Sequence, residues 1–401
     1  MSKTQPFQIL SAKKQGISCA CLSHSAYHVI AHLQQNGFIA YIVGGAIRDL
    51  LLHQTPKDFD VVTNATPEVI RRLFRRSRII GRRFRIVHVL IDNDIVEVTT
   101  FRKEGTTSQN VHGRIMRDNI FGNCEEDILR RDFTINALLY DPISEKIIDY
   151  LGGMQDLAQR QIVMIGQPAI RYQEDPIRMV RALRFAAKLQ FDIESVTQLA
   201  IEQYIHLLKK EPSARLFDEM LKCLVNGYAH DSIALLAQHH LLTIIFPLFK
   251  RFSIQGNEPF VRLALKNTDE RVKSHQSISI GFLLAALIWP FISQRWLQIQ
   301  KDVTKPHTAL FKAIEHFDHL QSKDPVIPRR FVLSMKTIWS MQAQWMSSST
   351  KKRTRLLHHP YFRSGFDFLI LRTQNKEIAE NVLIEWAAKR LINEKSNPKM
   401  D

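Results

Sequence analysis

Tyr41-Ile42-Val43-Gly44-Gly45-Ala46-Ile47-Arg48-Asp49, followed by Lys57-Asp58-Phe59-Asp60-Val61-Val62, is the stretch from which the fold can be read. Tyr41 to Val43 has the short apolar run of a buried strand, and the paired glycines let the backbone pass close to a ligand. Leu50-Leu51-Leu52 continues from Arg48-Asp49 as a helical turn, and Phe59, Val61 and Val62 mark a second strand. Side chains alternate across a strand, so Asp58 and Asp60 are expected on one face. Two adjacent carboxylates repel unless a cation sits between them, and a hard divalent ion with oxygen ligands, Mg²⁺ above all, suits that place. An acidic strand end paired with Lys57 and Arg48 is the plainer alternative, and the glycines ahead of it weigh against that.

Outward from this stretch, strand-like runs at 41–43, 59–62, 86–91, 95–101, 138–140 and 147–150 alternate with helical segments. This pattern is that of an α/β unit. A helix is expected from Ser25 to about Gln35, stopped at Gly37. After Gly152-Gly153 strand signals nearly vanish and long amphipathic patterns take over, as in 177–189 and 213–225. Breaks near Glu211-Pro212, 255–257, Lys305-Pro306 and 324–328 divide the helical part. The expected class is therefore α+β, a small mixed-sheet α/β head followed by helices. The expected divisions are a loose N-terminal extension (1–24), a head (25–152), and helical segments 153–211, 212–304 and 305–401.

The chain has 401 residues, 45% of them apolar, enough for a large core, and a net charge of +16. That balance points to a polyanionic partner, nucleic acid or an anionic membrane surface. The longest apolar run, Ile280 to Ile292, contains Pro290 and is too short to cross a bilayer. No secretion core stands at the N-terminus, and four cysteines (19, 21, 124 and 223) form no disulfide framework. A cytoplasmic location is expected.

Two further clusters carry charge in a pattern. In Arg130-Arg131-Asp132, preceded by Glu125-Glu126-Asp127, the arginine suits a triphosphate or ribose and the carboxylate a metal or hydroxyl; a salt-bridged exposed helix is the alternative. In Glu174-Asp175-Pro176-Ile177-Arg178, Asp175 and Pro176 have the residue types of a helix start. Arg178, Arg181 and Arg184 recur every three residues along one side of the helix that follows.

Taken in order, Gly44-Gly45-x-x-Arg48-Asp49, Asp58-x-Asp60, Arg130-Arg131-Asp132 and Glu174-Asp175-x-x-Arg178 resemble the motifs of the class II nucleotidyltransferases, the group of tRNA CCA-adding enzymes and bacterial poly(A) polymerases. The resemblance covers nearly everything after residue 25 and implies a nucleotidyltransferase head, then a helical neck with base recognition, a body and a basic RNA-binding tail. It implies two Mg²⁺ ions held by Asp58 and Asp60, with a third carboxylate, for which Asp132 and Glu97 are the candidates. Asp132 is favoured because it lies within a family motif. Gly44, Gly45, Arg48, Arg131, Arg178 and Arg181 would bind the nucleotide, and Asp175 and Arg178 would read its Watson–Crick edge.

One segment separates the branches. Ile79-Ile80-Gly81-Arg82-Arg83-Phe84-Arg85-Ile86-Val87-His88-Val89 resembles the stretch that marks bacterial poly(A) polymerases. From Arg71 to Arg85 there are eight arginines and no acid, a density suited to a phosphate backbone. Residues 302–401 carry 17 Lys and Arg against 10 Asp and Glu, or +7. The segment Lys103 to Arg117 looks shorter than in the family. The expected activity is template-independent addition of AMP from ATP to RNA 3′ ends. Arg82, Arg83, Arg85, Lys351, Lys352, Arg353 and Arg355 are candidates for RNA contact, and RNA-decay or RNA-chaperone proteins are candidate partners. A CCA-adding enzyme using CTP and ATP is the nearest alternative, and a non-catalytic RNA-binding protein on the same fold is the more distant one.

Overall fold

A computed structural model describes residues 7–81, 85–103, 120–251, 256, 258–303, 305–323, 327–345 and 350–396. Arg82, Arg83 and nearly all of the 103–117 segment lie outside the described residues. The chain divides into two compact units, one of residues 1–178 with 190–204, the other of 179–189 with 205–401. This division differs from the expected boundary at 152.

In the first unit eight strands form one mixed sheet: β1 (Gln8–Ser11), β2 (Ala40–Val43), β3 (Asp60–Thr63), β4 (Ser77–Ile80), β5 (Ile86–Ile91), β6 (Asp94–Thr100), β7 (Leu139–Asp141) and β8 (Lys146–Asp149). Their spatial order is β1-β8-β7-β2-β3-β6-β5-β4. Only β3 and β6 pair in parallel; every other neighbouring pair is antiparallel. A short parallel pair, β9 (Gln161–Ile162) with β10 (Asp192–Ile193), stands apart. The helices are α1 (His24–Gln35), α2 (Gly45–Leu51), α3 (Pro67–Leu73), α4 (Cys124–Leu129), α5 (Gly153–Ala158), α6 (Pro168–Glu174), α7 (Ile177–Leu189) and α8 (Ser195–Tyr204); α7 crosses the division between the units.

Period-two alternation sorts the strand residues onto two faces. Ile42, Val61, Val87, Val89, Val96 and Val98 enter a large core with Val29, Ile30 and Leu33 of α1. Val43, Val62 and Leu139 enter a smaller one with Ile128 of α4. The α1 helix forms as expected: Ser23 caps it by accepting from Ala26 N (3.1 Å), and Ala26, Val29, Ile30 and Leu33 keep one apolar stripe. It stops at Gly37, whose φ of +82° suits a residue without Cβ.

The expectation of a loose N-terminus fails for Gln8–Ser11, which pair with β8 in full register. Their backbone groups gain partners there, although Ile9 stays exposed.

The second unit is helical. Pro212, Pro259, Pro306 and Pro328 stand at or just before the starts of helices Ser213–Leu224, Pro259–Lys273, Pro306–Lys323 and Arg329–Gln342, where a missing N–H costs nothing. The apolar run from Ile280 belongs to a longer helix, Ile280–Gln300, which corrects the expectation that it is too short: by length and composition the helix could cross a membrane. Leu283, Leu284, Leu287, Ile288, Trp289 and Ile292 are nevertheless buried within the unit, where the helix packs against Pro306–Lys323 and Arg329–Gln342. An all-round apolar helix buried on several sides is a core helix.

Candidate active site

The site begins at the β2–α2 turn. Gly44 adopts φ +79° and ψ −134°, open only to glycine, and sends the chain directly into α2. The β2 strand pairs antiparallel with β3, Val43 opposite Asp60, so the turn stands beside the first residue of β3. Asp58 precedes that strand, and Asp58 and Asp60 are both exposed.

Next to β3 runs β6, in parallel, with Val61 beside Val98. One residue earlier in each strand stand Asp60 and Glu97. Val61, Val96 and Val98 all enter the large core, so Asp60 and Glu97 share the opposite face. The electrostatics agree. Asp60 keeps solvent contact, yet lost solvation of its carboxyl pushes it up to about 6; Glu97 and, less, Asp58 add to the rise and Arg131 opposes it. The part of the rise that comes from Glu97 and Asp58 is what an oxygen-coordinated cation would relieve. Among the described residues no three His, Cys, Asp or Glu side chains are gathered closely enough to hold an ion as they stand.

Asp132, favoured in sequence as the third carboxylate, has a different setting. It is buried, and its Oδ1 accepts from Phe133 N (2.8 Å) and Asn136 Nδ2 (3.2 Å). Asn136 Oδ1 in turn accepts from Arg48 Nη1 (2.5 Å). Arg48, 3% exposed, also clasps Asp49 through Nε (2.8 Å) and Nη2 (2.6 Å). A buried hydrogen-bonded chain thus ties the Gly44–Gly45 turn to the Asp132 segment. Glu97 stands beside Asp60 in the sheet, and Arg48, expected at the nucleotide, is hydrogen-bonded to Asp49 and Asn136.

Arg131 does face the turn: a Cβ on Gly44 would meet its Nη1 at 3.8 Å. Asp127 orients it. This buried carboxylate accepts from Arg130 (2.6 Å), Arg131 (2.8 Å) and Arg102 N (3.1 Å). Burial alone would raise its pKa, but the two guanidiniums together hold it below the ordinary range. An Asn123–Glu126 capping box starts α4 and presents Asp127 to both arginines. Sequence reasoning passed over Arg171, which is 5% exposed. Its Nη2 donates to the carbonyls of Arg130 (2.7 Å) and Arg131 (2.9 Å), and its Nη1 to Glu174 (2.7 Å). A lone arginine in a short helix carries no signal of this role.

Arg178 donates to Arg171 O (2.9 Å) and Glu174 (3.0 Å), which joins it to the same bracket. Asp175 Oδ1 accepts from Ile177 N (3.3 Å), helping to start α7. Arg181 lies in the second unit, its guanidinium 5.8 Å from the centre of the Phe185 ring. Of the residues expected to touch RNA, Arg85 is paired with Glu68 (2.5 Å). Arg355 is exposed on helix Thr350–Leu357, which also carries Lys351, Lys352 and Arg353, whose side chains are not described.

Residues 40–163 match the family model of the poly A polymerase head domain, 190–252 that of a probable RNA and SrmB-binding site of polymerase A, and 302–400 that of the polymerase A arginine-rich C-terminus. The chain is 41% identical to poly(A) polymerase I of Escherichia coli O6:H1 over 94% of its length and 84% of the relative's. It is 40% identical to the Haemophilus influenzae enzyme of the same name over 91% and 84%. The CCA-adding enzyme of Bacillus pumilus, also 40% identical, is matched over only 53% of this chain and 52% of that protein. Among solved structures, a tRNA nucleotidyltransferase complexed with a primer tRNA and an incoming ATP analog has the same fold, at a TM-score of 0.61 and 23% identity over 91% of this chain and 99% of that one. The head sheet, with its glycine turn beside paired aspartates, is that of a nucleotidyltransferase. Within that class the chain belongs to the bacterial poly(A) polymerase family.

Proposed function

We propose that this chain adds AMP from ATP to RNA 3′ ends without a template, in the cytoplasm. The observation that carries the catalytic reading is the charge around Asp60, with Asp58 and Glu97 beside it next to the glycine turn. Asp58, Asp60 and Glu97 would hold two Mg²⁺ ions, which when bound would activate the 3′-hydroxyl and neutralise the departing pyrophosphate.

The protein's own part is positional. The Gly44–Gly45 backbone would lie along the triphosphate and Arg131, oriented by Asp127, would meet its charge. Arg48, Asn136 and Asp132 would keep the turn in place. Asp175 and Arg178 would read the base edge, where a carboxylate accepts from an exocyclic amine and a guanidinium donates to a ring nitrogen. For Arg178 this means exchanging its Glu174 contact for the base, and Arg181 would assist. Residues 190–252 and the basic region 302–401, with Arg82, Arg83, Arg85, Lys351, Lys352, Arg353 and Arg355, would engage RNA; the match over 190–252 also supports a helper protein there. Burial of the Ile280–Gln300 helix supports the cytoplasmic location.

The test combines purified protein, a labelled RNA, Mg²⁺ and each nucleoside triphosphate in turn. ATP should give long tails and CTP little product, and Asp58→Ala or Asp60→Ala should lower tailing by more than a thousandfold without changing the melting temperature much. Three-nucleotide addition to a tRNA lacking CCA would favour the CCA-adding reading. Tailing within tenfold of wild type in either aspartate variant would remove the metal assignment.

A further inference from the structure

The row that holds Asp60 and Glu97 does not end at β6. In the antiparallel β5–β6 pair His88 stands opposite Glu97, and in the β4–β5 pair Arg78 stands opposite His88. Val87 and Val89 enter the large core, so His88 shares the face of Asp60 and Glu97. Its Nε2 lies 3.2 Å from Glu97 Oε1. Four strands thus present Asp60, Glu97, His88 and Arg78 in sequence.

The contact joins two exposed or half-exposed side chains, 30% and 47% accessible, a setting in which ion pairs add little to stability. Its effect is better sought in orientation. A glutamate has one more rotatable bond than an aspartate, and on the exposed face of a sheet its carboxylate samples several rotamers unless a neighbour fixes it. Contact with His88 engages one oxygen of the carboxylate, and the second oxygen is available for a cation. His88 also falls within Ile79 to Val89, the segment that set the chain apart in sequence, and none of the functions assigned above uses it.

We propose that His88 is a positioning residue for the metal site: from the side of Glu97 opposite Asp60 it fixes one carboxylate oxygen, keeps the other oxygen on the Asp60 side, and so raises the affinity for the divalent ion. This rests on Glu97 being a metal ligand, as proposed above. Partners that orient ligating carboxylates typically change metal affinity by about tenfold or more.

The experiment measures Mn²⁺ binding to the full-length protein by the electron paramagnetic resonance signal of free Mn²⁺, together with the Mg²⁺ concentration needed for half-maximal tailing at saturating ATP. His88→Ala should weaken Mn²⁺ binding and raise the Mg²⁺ requirement about tenfold, with the ATP KM at saturating Mg²⁺ near wild type. His88→Gln, whose amide N–H reaches a similar point, should restore most of both. Glu97→Gln separates this inference from the reading beneath it. If Glu97→Gln leaves Mn²⁺ binding unchanged, Glu97 is no ligand and both fall. If Glu97→Gln weakens binding while His88→Ala does not, the metal reading stands and His88 has no part in it. A His88→Gln variant as weak as His88→Ala, with or without a fall in melting temperature, would also overturn the positioning role.

Discussion

Asp60 carries the most consequential perturbation at the scale of single residues. Although Asp60 is exposed, lost solvation of its carboxyl and then Glu97 push it up to about 6 from an ordinary value of 3.8, with Arg131 opposing. The folded state therefore holds this proton more tightly than the unfolded one. The stability the proton contributes is present below about pH 4 and is lost as the pH rises through about 6. Mg²⁺ competes for the same oxygens. Added Mg²⁺ should raise the melting temperature at pH 7.5 and do little at pH 5, and Asp60→Asn should abolish the difference. Scanning calorimetry across that range is the check; an Mg²⁺ effect independent of pH would contradict it. Asp58 and Asp60 were legible because strand, glycines and carboxylates sit within twenty residues. Glu97 was one of two candidates for the third carboxylate, and nothing local chose it over Asp132, since its place beside Asp60 arises from the parallel register of β3 and β6. Arg171 was invisible for a related reason: its partners are carbonyls some forty residues away.

Whole elements depend on close approach as much as on side-chain chemistry. Gly153 opens α5, where an added Cβ would stand 2.4 Å from the carbonyl oxygen of Thr134. Backbone cannot rotate aside. Thr134 belongs to the short turn 134–136 that also carries Asn136, the link between Arg48 and Asp132. Gly153→Ala should destabilise the protein by about 1–3 kcal/mol, as overpacking usually does, and raise the ATP KM as the turn shifts. Chemical denaturation and steady-state kinetics would register both; a variant with wild-type stability would show that the turn has room. The six expected strands all exist, within a residue or so at each end, because apolar runs bounded by turn residues sign themselves. β1 and β4 do not. In Gln8-Ile9-Leu10-Ser11 the strand is conferred by β8, and in Ser77-Arg78-Ile79-Ile80 arginines on both sides imitate a basic helix while burial alternates along the strand.

For the whole molecule the dominant number is the charge of +16. Not all of it is available to a polyanion. Arg372 is buried, paired with Glu377 (3.1 Å) and stacked 4.8 Å from the Trp289 ring; Arg85, Lys336 and Lys389 also have carboxylate partners. RNA affinity should still fall with salt, by about 0.7 in log–log slope per phosphate contacted. Replacing Lys351, Lys352, Arg353 and Arg355 by glutamine should flatten that slope, whereas Arg372→Gln should lower the melting temperature and leave the slope nearly unchanged. Fluorescence anisotropy over a salt series distinguishes the two; equal slopes for wild type and the fourfold variant would take RNA away from this helix.

The pairing of β1 with β8 sets an order of events during synthesis. Of the described strands β1 is made earliest and has its partner at residues 146–149, so Gln8–Ser11 wait for it until almost the entire head has been translated. Long-range pairing of this kind is slow to close, and nascent segments with unmatched backbone are where chains go astray. The earliest of the described strands is the last one the sheet can seat.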